Sequence, residues 1–254
     1  MTMRLQQWLW TVCLMTVVFT LSACTTNDAT NDVTESSSPA EVPIVPEVTE
    51  ALRPGDGLPV LLGAATVEMQ INGGRVLMTL DGENAPITAG NFVDLVQRGF
   101  YDGVLFHRVV KSPEPFVVQA GDPQTKDPSI PESLWGTGGF VDPDTQQPRE
   151  IPLEIKPAGA AEPVYSRTFE TLRVQEPPEL QHTRGAIAMA RSQLPDSASS
   201  QFYIALGELP FLDGSYAVFG YVTEGMDIVD DIEMGDVIES VTVTSGLENL
   251  QQPE

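Results

Sequence analysis

Arg108 stands inside Phe106-His107-Arg108-Val109-Val110, an apolar run of strand character. A guanidinium set among such neighbours is costly to desolvate unless its charge is used. The group is planar, permanently charged and donor-only, so what it offers is electrostatic binding of electron density. Four further segments follow at wide separations: Phe116-Val117-Val118-Gln119-Ala120-Gly121-Asp122, Gly185-Ala186-Ile187-Ala188-Met189-Ala190-Arg191, Ser200-Gln201-Phe202-Tyr203-Ile204 and Phe211-Leu212-Asp213-Gly214. Taken singly, Phe116, Tyr203 and Leu212 read as ordinary core, and Arg108 as an ion pair on a rim. Other chemistries find little support. His107 and His182 have no metal-ligand spacing with cysteine, and His107 reads as a packed histidine rather than a base. Asp142-Pro143-Asp144 lacks the remaining ligands and the glycine of a calcium loop. There is no phosphate-binding glycine loop and no nucleophile elbow. No metal and no cofactor are expected.

Together and in this order, the five segments resemble the cyclophilin family of peptidyl-prolyl cis–trans isomerases, over roughly residues 64–246 with one long insertion. The resemblance implies an isomerase of X-Pro bonds. Such a bond turns over a barrier of about 18–20 kcal/mol, because the C–N bond has double-bond character. In the twisted transition state the nitrogen lone pair localises. A donor aimed at that nitrogen binds the twisted form better than either planar form, which is catalysis by differential binding. Lowering the barrier by about 8 kcal/mol would give on the order of a millionfold.

By the same resemblance Arg108 is the catalytic donor, and Phe116, Val117, Tyr203 and Leu212 form the slot for the proline ring. Gln119 matches a glutamine that bonds substrate backbone, and Gln201 a second glutamine near the arginine. Backbone of Ala190, Arg191 and Ser192 is expected to pair with the residues before the proline. Phe211 stands where many eukaryotic relatives carry tryptophan, which implies weak cyclosporin binding. Tyr216 stands where they carry histidine. Lys111-Ser112-Pro113-Glu114-Pro115 is longer than the family's usual turn, which leaves room for Phe116 to be repositioned.

The elements that must hold these residues are legible in outline. Residues 66–71 and 75–80 alternate in polarity, and Asn72-Gly73-Gly74 between them signals a hairpin. Asn84-Ala85-Pro86 opens a helix whose Phe92, Leu95 and Val96 share a face, and Gly99 ends it. Strand patterns follow at 104–110, 116–120, 185–190, 201–206, 217–222 and 237–243, with a second helix from Met226 to about Glu233. Residues 123–183 are rich in proline and turn residues and form a surface insertion, with a short strand candidate at 151–155. The expected fold is mainly β, a closed eight-stranded antiparallel barrel capped by two α-helices, as the resemblance also implies.

Residues 1–23 read as a signal peptide: Arg4 precedes an apolar stretch, 8–19, too short to span a bilayer. Leu21-Ser22-Ala23-Cys24 resembles a bacterial lipobox, with Cys24 as the lipid attachment site. A plain secretory signal and an uncleaved anchor are the alternatives. Residues 24–63 then form an acidic, proline-rich tether, 64–247 the folded domain and 248–254 a tail. Cys13 and Cys24 are the two cysteines, so a mature chain has no internal disulfide. The net charge of -23 argues against nucleic acid as a partner.

The sequence therefore predicts a monomeric isomerase of proline-containing polypeptides, lipid-anchored on the periplasmic side of a bacterial membrane. The rival is a membrane-tethered peptide-binding chaperone, or an assembly factor whose partner docks on the insertion.

Overall fold

The computed structural model describes residues 55–253. The expected signal segment, Cys24 and most of the expected tether lie outside them. In chain order the elements are β1 (Val60–Leu61), β2 (Ala64–Ile71), β3 (Gly74–Asp81), α1 (Pro86–Gln97), β4 (Arg108–Val110), β5 (Val117–Ala120), β6 (Glu154–Ile155), β7 (Val164–Tyr165), α2 (Phe169–Leu172), β8 (Ala186–Met189), β9 (Phe202–Ala205), β10 (Val218–Glu224), α3 (Met226–Asp231), β11 (Ile238–Ser245) and β12 (Leu250–Gln251).

Eight strands form one antiparallel sheet in the order β11-β2-β3-β10-β8-β9-β5-β4. The β2–β3 hairpin turns on two residues, with Ile71 opposite Gly74. Asn72 and Gly73 both take positive φ, 52° and 71°, the turn whose twist suits a tight hairpin. Ala65, Val67, Met69 and Ile71 of β2, and Val76, Met78 and Leu80 of β3, point inward and are buried. From α1, Phe92 enters the sheet's concavity and meets Tyr101, Phe202 and Phe219 at ring-centroid distances of 4.9, 5.3 and 5.1 Å. Large buried rings of this kind dominate the energetics of a core.

Three expectations change. The barrel is not closed by a continuous ladder. The sheet curls into an open half-barrel, and its edge strands β4 and β11 do not pair. Residues 103–106 leave the strand direction before β4 begins and cross to the chain entering β11. A single bridge, Leu105 to Val237, and backbone bonds such as Phe106 N–H to Asp236 O stitch that seam. Besides α1 and α3, a third helix, the four-residue α2, lies in the insertion.

Order also begins before residue 64 and continues past 247, because β1 pairs with β12. Leu61 is fully buried. Gly90 of α1 makes this clasp fit: a Cβ there would lie 2.5 Å from the Pro59 carbonyl oxygen.

The insertion is anchored on α1. Buried Glu154 accepts bonds from the N–H groups of Ile87 (3.2 Å) and Thr88 (2.8 Å) and from the Thr88 hydroxyl (2.8 Å). It occupies the N-terminus of α1, where donors stand without partners in the helix. Farther along, Arg149 reaches Asp94 at 2.7 Å and lies over Phe140 at 4.5 Å. The helix is consequently buried on nearly all its faces, not on the single stripe its periodicity suggests.

Candidate active site

β4 and β5 set the first half of the site. Their register places Arg108 opposite Gln119, and β9 places Tyr203 opposite Gln119 on the other side. Arg108 is exposed, with its guanidinium 5.3 Å from the centre of the Phe116 ring. One of its nitrogens donates to Gln119 Oε1 at 3.3 Å. Gln119 Nε2 donates to Gln201 Oε1 at 3.0 Å, and Gln201 Nε2 donates to the Gly138 carbonyl at 2.7 Å. The ends of this chain fix its direction. A guanidinium can only donate and a carbonyl can only accept, so each amide has one orientation.

The Gly138 end is itself held. Asp122, fully buried, accepts from the N–H groups of Gly136 at 2.6 Å and Gly138 at 3.1 Å. The first loop of the insertion thus orients the side chains beside Arg108.

A cleft of about 210 Å³ opens next to the guanidinium, lined by Arg108, Phe116, Val117, Gln119, Ala190, Arg191, Tyr203, Leu212 and Tyr216. Its floor is apolar: Val117 and Tyr203 are buried, and Phe116 and Leu212 are half-buried. Phe116 keeps its place against Arg108 despite the longer 111–115 segment, because its N–H still closes the β4–β5 hairpin on the Val110 carbonyl at 2.9 Å.

Phe211 and the 190–192 backbone are disposed differently from the other expected residues. Phe211 is 69% exposed and is no part of the cleft wall. The short 3-10 turn over Pro210–Leu212 directs Leu212 inward and leaves Phe211 stacked on Phe116 from outside, at 6.0 Å. The backbone of 190–192 is also less available than expected. The Ala190 N–H is bonded to the Gln201 carbonyl at 2.9 Å, and the Ser192 N–H to Ser197 Oγ at 2.9 Å. Ser192 and Gln201 instead line a neighbouring groove of about 470 Å³, which shares Gln119, Ala190 and Arg191 with the cleft. Arg191 lies over the Tyr216 ring at 4.7 Å and donates to the Ser215 carbonyl, closing that side.

Among the described residues no cluster of His, Cys, Asp and Glu suits a metal ion. The cleft presents the guanidiniums of Arg108 and Arg191, the Gln119 amide, two phenols and apolar walls. Such a set binds and polarises; it offers no nucleophile.

A family profile described as cyclophilin type peptidyl-prolyl cis-trans isomerase matches residues 66–248. The chain belongs to the cyclophilin-type prolyl isomerase family. This cyclophilin chain is 42% identical over 225 residues to a chloroplastic peptidyl-prolyl cis-trans isomerase of Arabidopsis thaliana, covering 82% of the chain and 48% of that protein. It is 44% identical over 204 residues to a putative thylakoid lumen isomerase of Synechocystis, covering 76% of the chain and 50% of that protein. The chain thus spans about half the length of these two relatives. A cyclophilin-type isomerase of Cryptosporidium parvum shares the fold, with a TM-score of 0.50, 22% identity, and coverage of 72% of this chain and 98% of that one.

The cyclophilin site also contains residues that sequence reasoning left aside. His182, set aside as a metal ligand, is buried behind Tyr203: its Nε2 lies 2.9 Å from the Tyr203 hydroxyl and its Nδ1 2.7 Å from Asp213. Burial lowers the proton affinity of this imidazole, against the opposing pull of Asp213. Burial also pushes the Tyr203 phenol well up, so it stays a neutral donor. Asp122 and Gly138, which hold Gln201, were likewise missed. The one signal available was the Asp122 to Gly139 span itself, where an acid and a glycine run flank a strand end.

Proposed function

We propose that the chain is a peptidyl-prolyl cis–trans isomerase of extracytoplasmic polypeptides, assisting their folding. The observation that carries this is the placement of Arg108. Its guanidinium stands at the mouth of an apolar cleft of the size of a small ring, with its direction set by Gln119. A proline ring seated on Phe116, Val117, Tyr203 and Leu212 brings its amide nitrogen to the side where Arg108 donates. As the bond twists, the lone pair that appears on nitrogen meets that donor, while planar forms gain less from it. Gln119 bonds the substrate carbonyl or N–H next to the proline and resists rotation of one half of the bond. The reaction consumes nothing, so the absence of a nucleophile in the cleft is in keeping with it.

Residues 1–23 serve as a signal peptide, and Cys24 carries lipid. The tether holds a monomeric domain off the periplasmic face of a bacterial membrane. Support comes from the lipobox-like Leu21-Ser22-Ala23-Cys24 and from the luminal placement in the name of the Synechocystis relative. Turnover of an Ala-Pro peptide in a protease-coupled assay, lost in Arg108→Ala, is the test. Binding without turnover would favour a peptide-binding chaperone instead.

A further inference from the structure

We propose that His182 is a positioning residue of the proline cleft, setting the Tyr203 wall against the Leu212 wall through the Tyr203 hydroxyl. The inference rests on the isomerase reading and deepens it.

One residue ties both walls together from behind. The His182 main-chain N–H donates to Asp213 Oδ1 at 2.9 Å, and its carbonyl accepts from the Leu209 N–H at 2.8 Å. These bonds hold the turn that carries Leu212. The ring then reaches the other wall, on β9. Nδ1 faces a carboxylate, which only accepts, so Nδ1 carries the proton. Nε2 is left with its lone pair, and the Tyr203 hydroxyl donates to it at 2.9 Å. The tautomer follows from this network.

Tyr203 has little freedom elsewhere. It is 5% exposed. Its far side packs edge-on against Tyr216 at 6.1 Å, and Arg191 covers Tyr216. Losing the contact strands the buried Tyr203 hydroxyl in His182→Asn and the buried His182 Nε2 in Tyr203→Phe, and either is unfavourable unless the walls move. Any such move changes the gap between Tyr203 and Leu212, where the proline ring sits. Gln119 is the register partner of Tyr203, but its amide bonds run to Arg108 and Gln201 and not to the Tyr203 hydroxyl, so the hydrogen bonds that hold the donor stay in place. The effect therefore falls on binding rather than on the donor.

The test uses the full chain in detergent and an Ala-Pro peptide. The variants are Tyr203→Phe, His182→Asn and the double variant. Asparagine can still donate toward Asp213 but is too short for Tyr203. KM and kcat come from the protease-coupled assay, and peptide Kd from NMR titration. Each single variant is expected to raise KM and Kd by about 3–10-fold, the scale of one net hydrogen bond, with kcat changed by less than about twofold. The double variant is expected to be no worse than either single one. A Kd for Tyr203→Phe equal to the parent's, or effects that multiply in the double variant, would overturn the role of His182. Should His182→Asn not fold, the Kd of Tyr203→Phe alone decides. A parent that binds without turnover removes the isomerase reading, while the Kd comparison still decides for His182. A parent that neither binds nor turns over removes both.

Discussion

The Arg108 guanidinium donates to Gln119 Oε1 at 3.3 Å, across the β4–β5 pair in which the two residues are register partners. Backbone register therefore aims the donor at the cleft, and the amide chain through Gln201 to the Gly138 carbonyl keeps Gln119 from turning over.

Breaking that chain at its middle should disorient the donor without touching the cleft floor. Gln201→Leu removes both the acceptor for Gln119 and the bond to Gly138. With roughly 1.5–3 kcal/mol for a hydrogen bond involving a charged group, kcat/KM is expected to fall by about 10–100-fold. Peptide Kd should change by much less. An unchanged kcat/KM would mean that the strand register alone suffices.

The insertion's hold on α1 can be tested at Glu154. All its partners there are donors and each carboxyl oxygen accepts from them, so a glutamine would turn an NH2 group toward N–H groups. Glu154→Gln is expected to destabilise by about 1–3 kcal/mol, a drop in Tm of several degrees. A Tm within error of the parent would show that the anchor carries no weight.

Acid should weaken the fold through its histidines. Burial, the largest cause, lowers both His182 and His107 from the ordinary value of 6.5. In that case the unfolded chain takes up protons first, so stability is full above about pH 6.5 and declines as pH falls below it. Glu154 runs the other way, since burial raises it above 4.5 and its protonation as pH falls favours the fold. Urea midpoints measured between about pH 7.5 and 5.5 should decrease, and the slope should be shallower in His182→Asn, which cannot titrate. An equal slope in both would remove His182 as a contributor.

Much of the site was legible because its residues sit on strands with strong local patterns. Phe106 to Val110 and Phe116 to Ala120 announce β4 and β5, and once these pair, Arg108, Phe116 and Gln119 must meet. What stayed hidden has no local signal. His182 and Tyr203 are brought together by the packing of the chain before β8 against β9, and nothing in the polarity of either segment encodes a hydroxyl–imidazole contact. Glu154 reads as one more acid in a polar insertion, yet α1 supplies it with buried donors from far upstream. The β1–β12 clasp joins pairs of residues too short for any periodicity to show. The half-barrel seam was misread for a related reason: 104–110 has a continuous strand pattern, but its first part is claimed by the chain entering β11.

The anchor has its own test. If Cys24 carries the proposed lipid, Cys24→Ser is expected to move the protein from the membrane fraction to the soluble fraction and to abolish labelling with a fatty-acid probe. Persistent membrane association would point to an uncleaved signal segment.

The central claim is that Arg108 donates to the twisting X-Pro nitrogen. The most direct measurement is kcat/KM on an Ala-Pro peptide for the full chain beside Arg108→Ala, with peptide Kd for both. The account predicts rapid turnover in the parent, a loss in Arg108→Ala of about 100-fold or more, and a Kd shifted far less, because the cleft floor is intact. Equal turnover in the two proteins would contradict it.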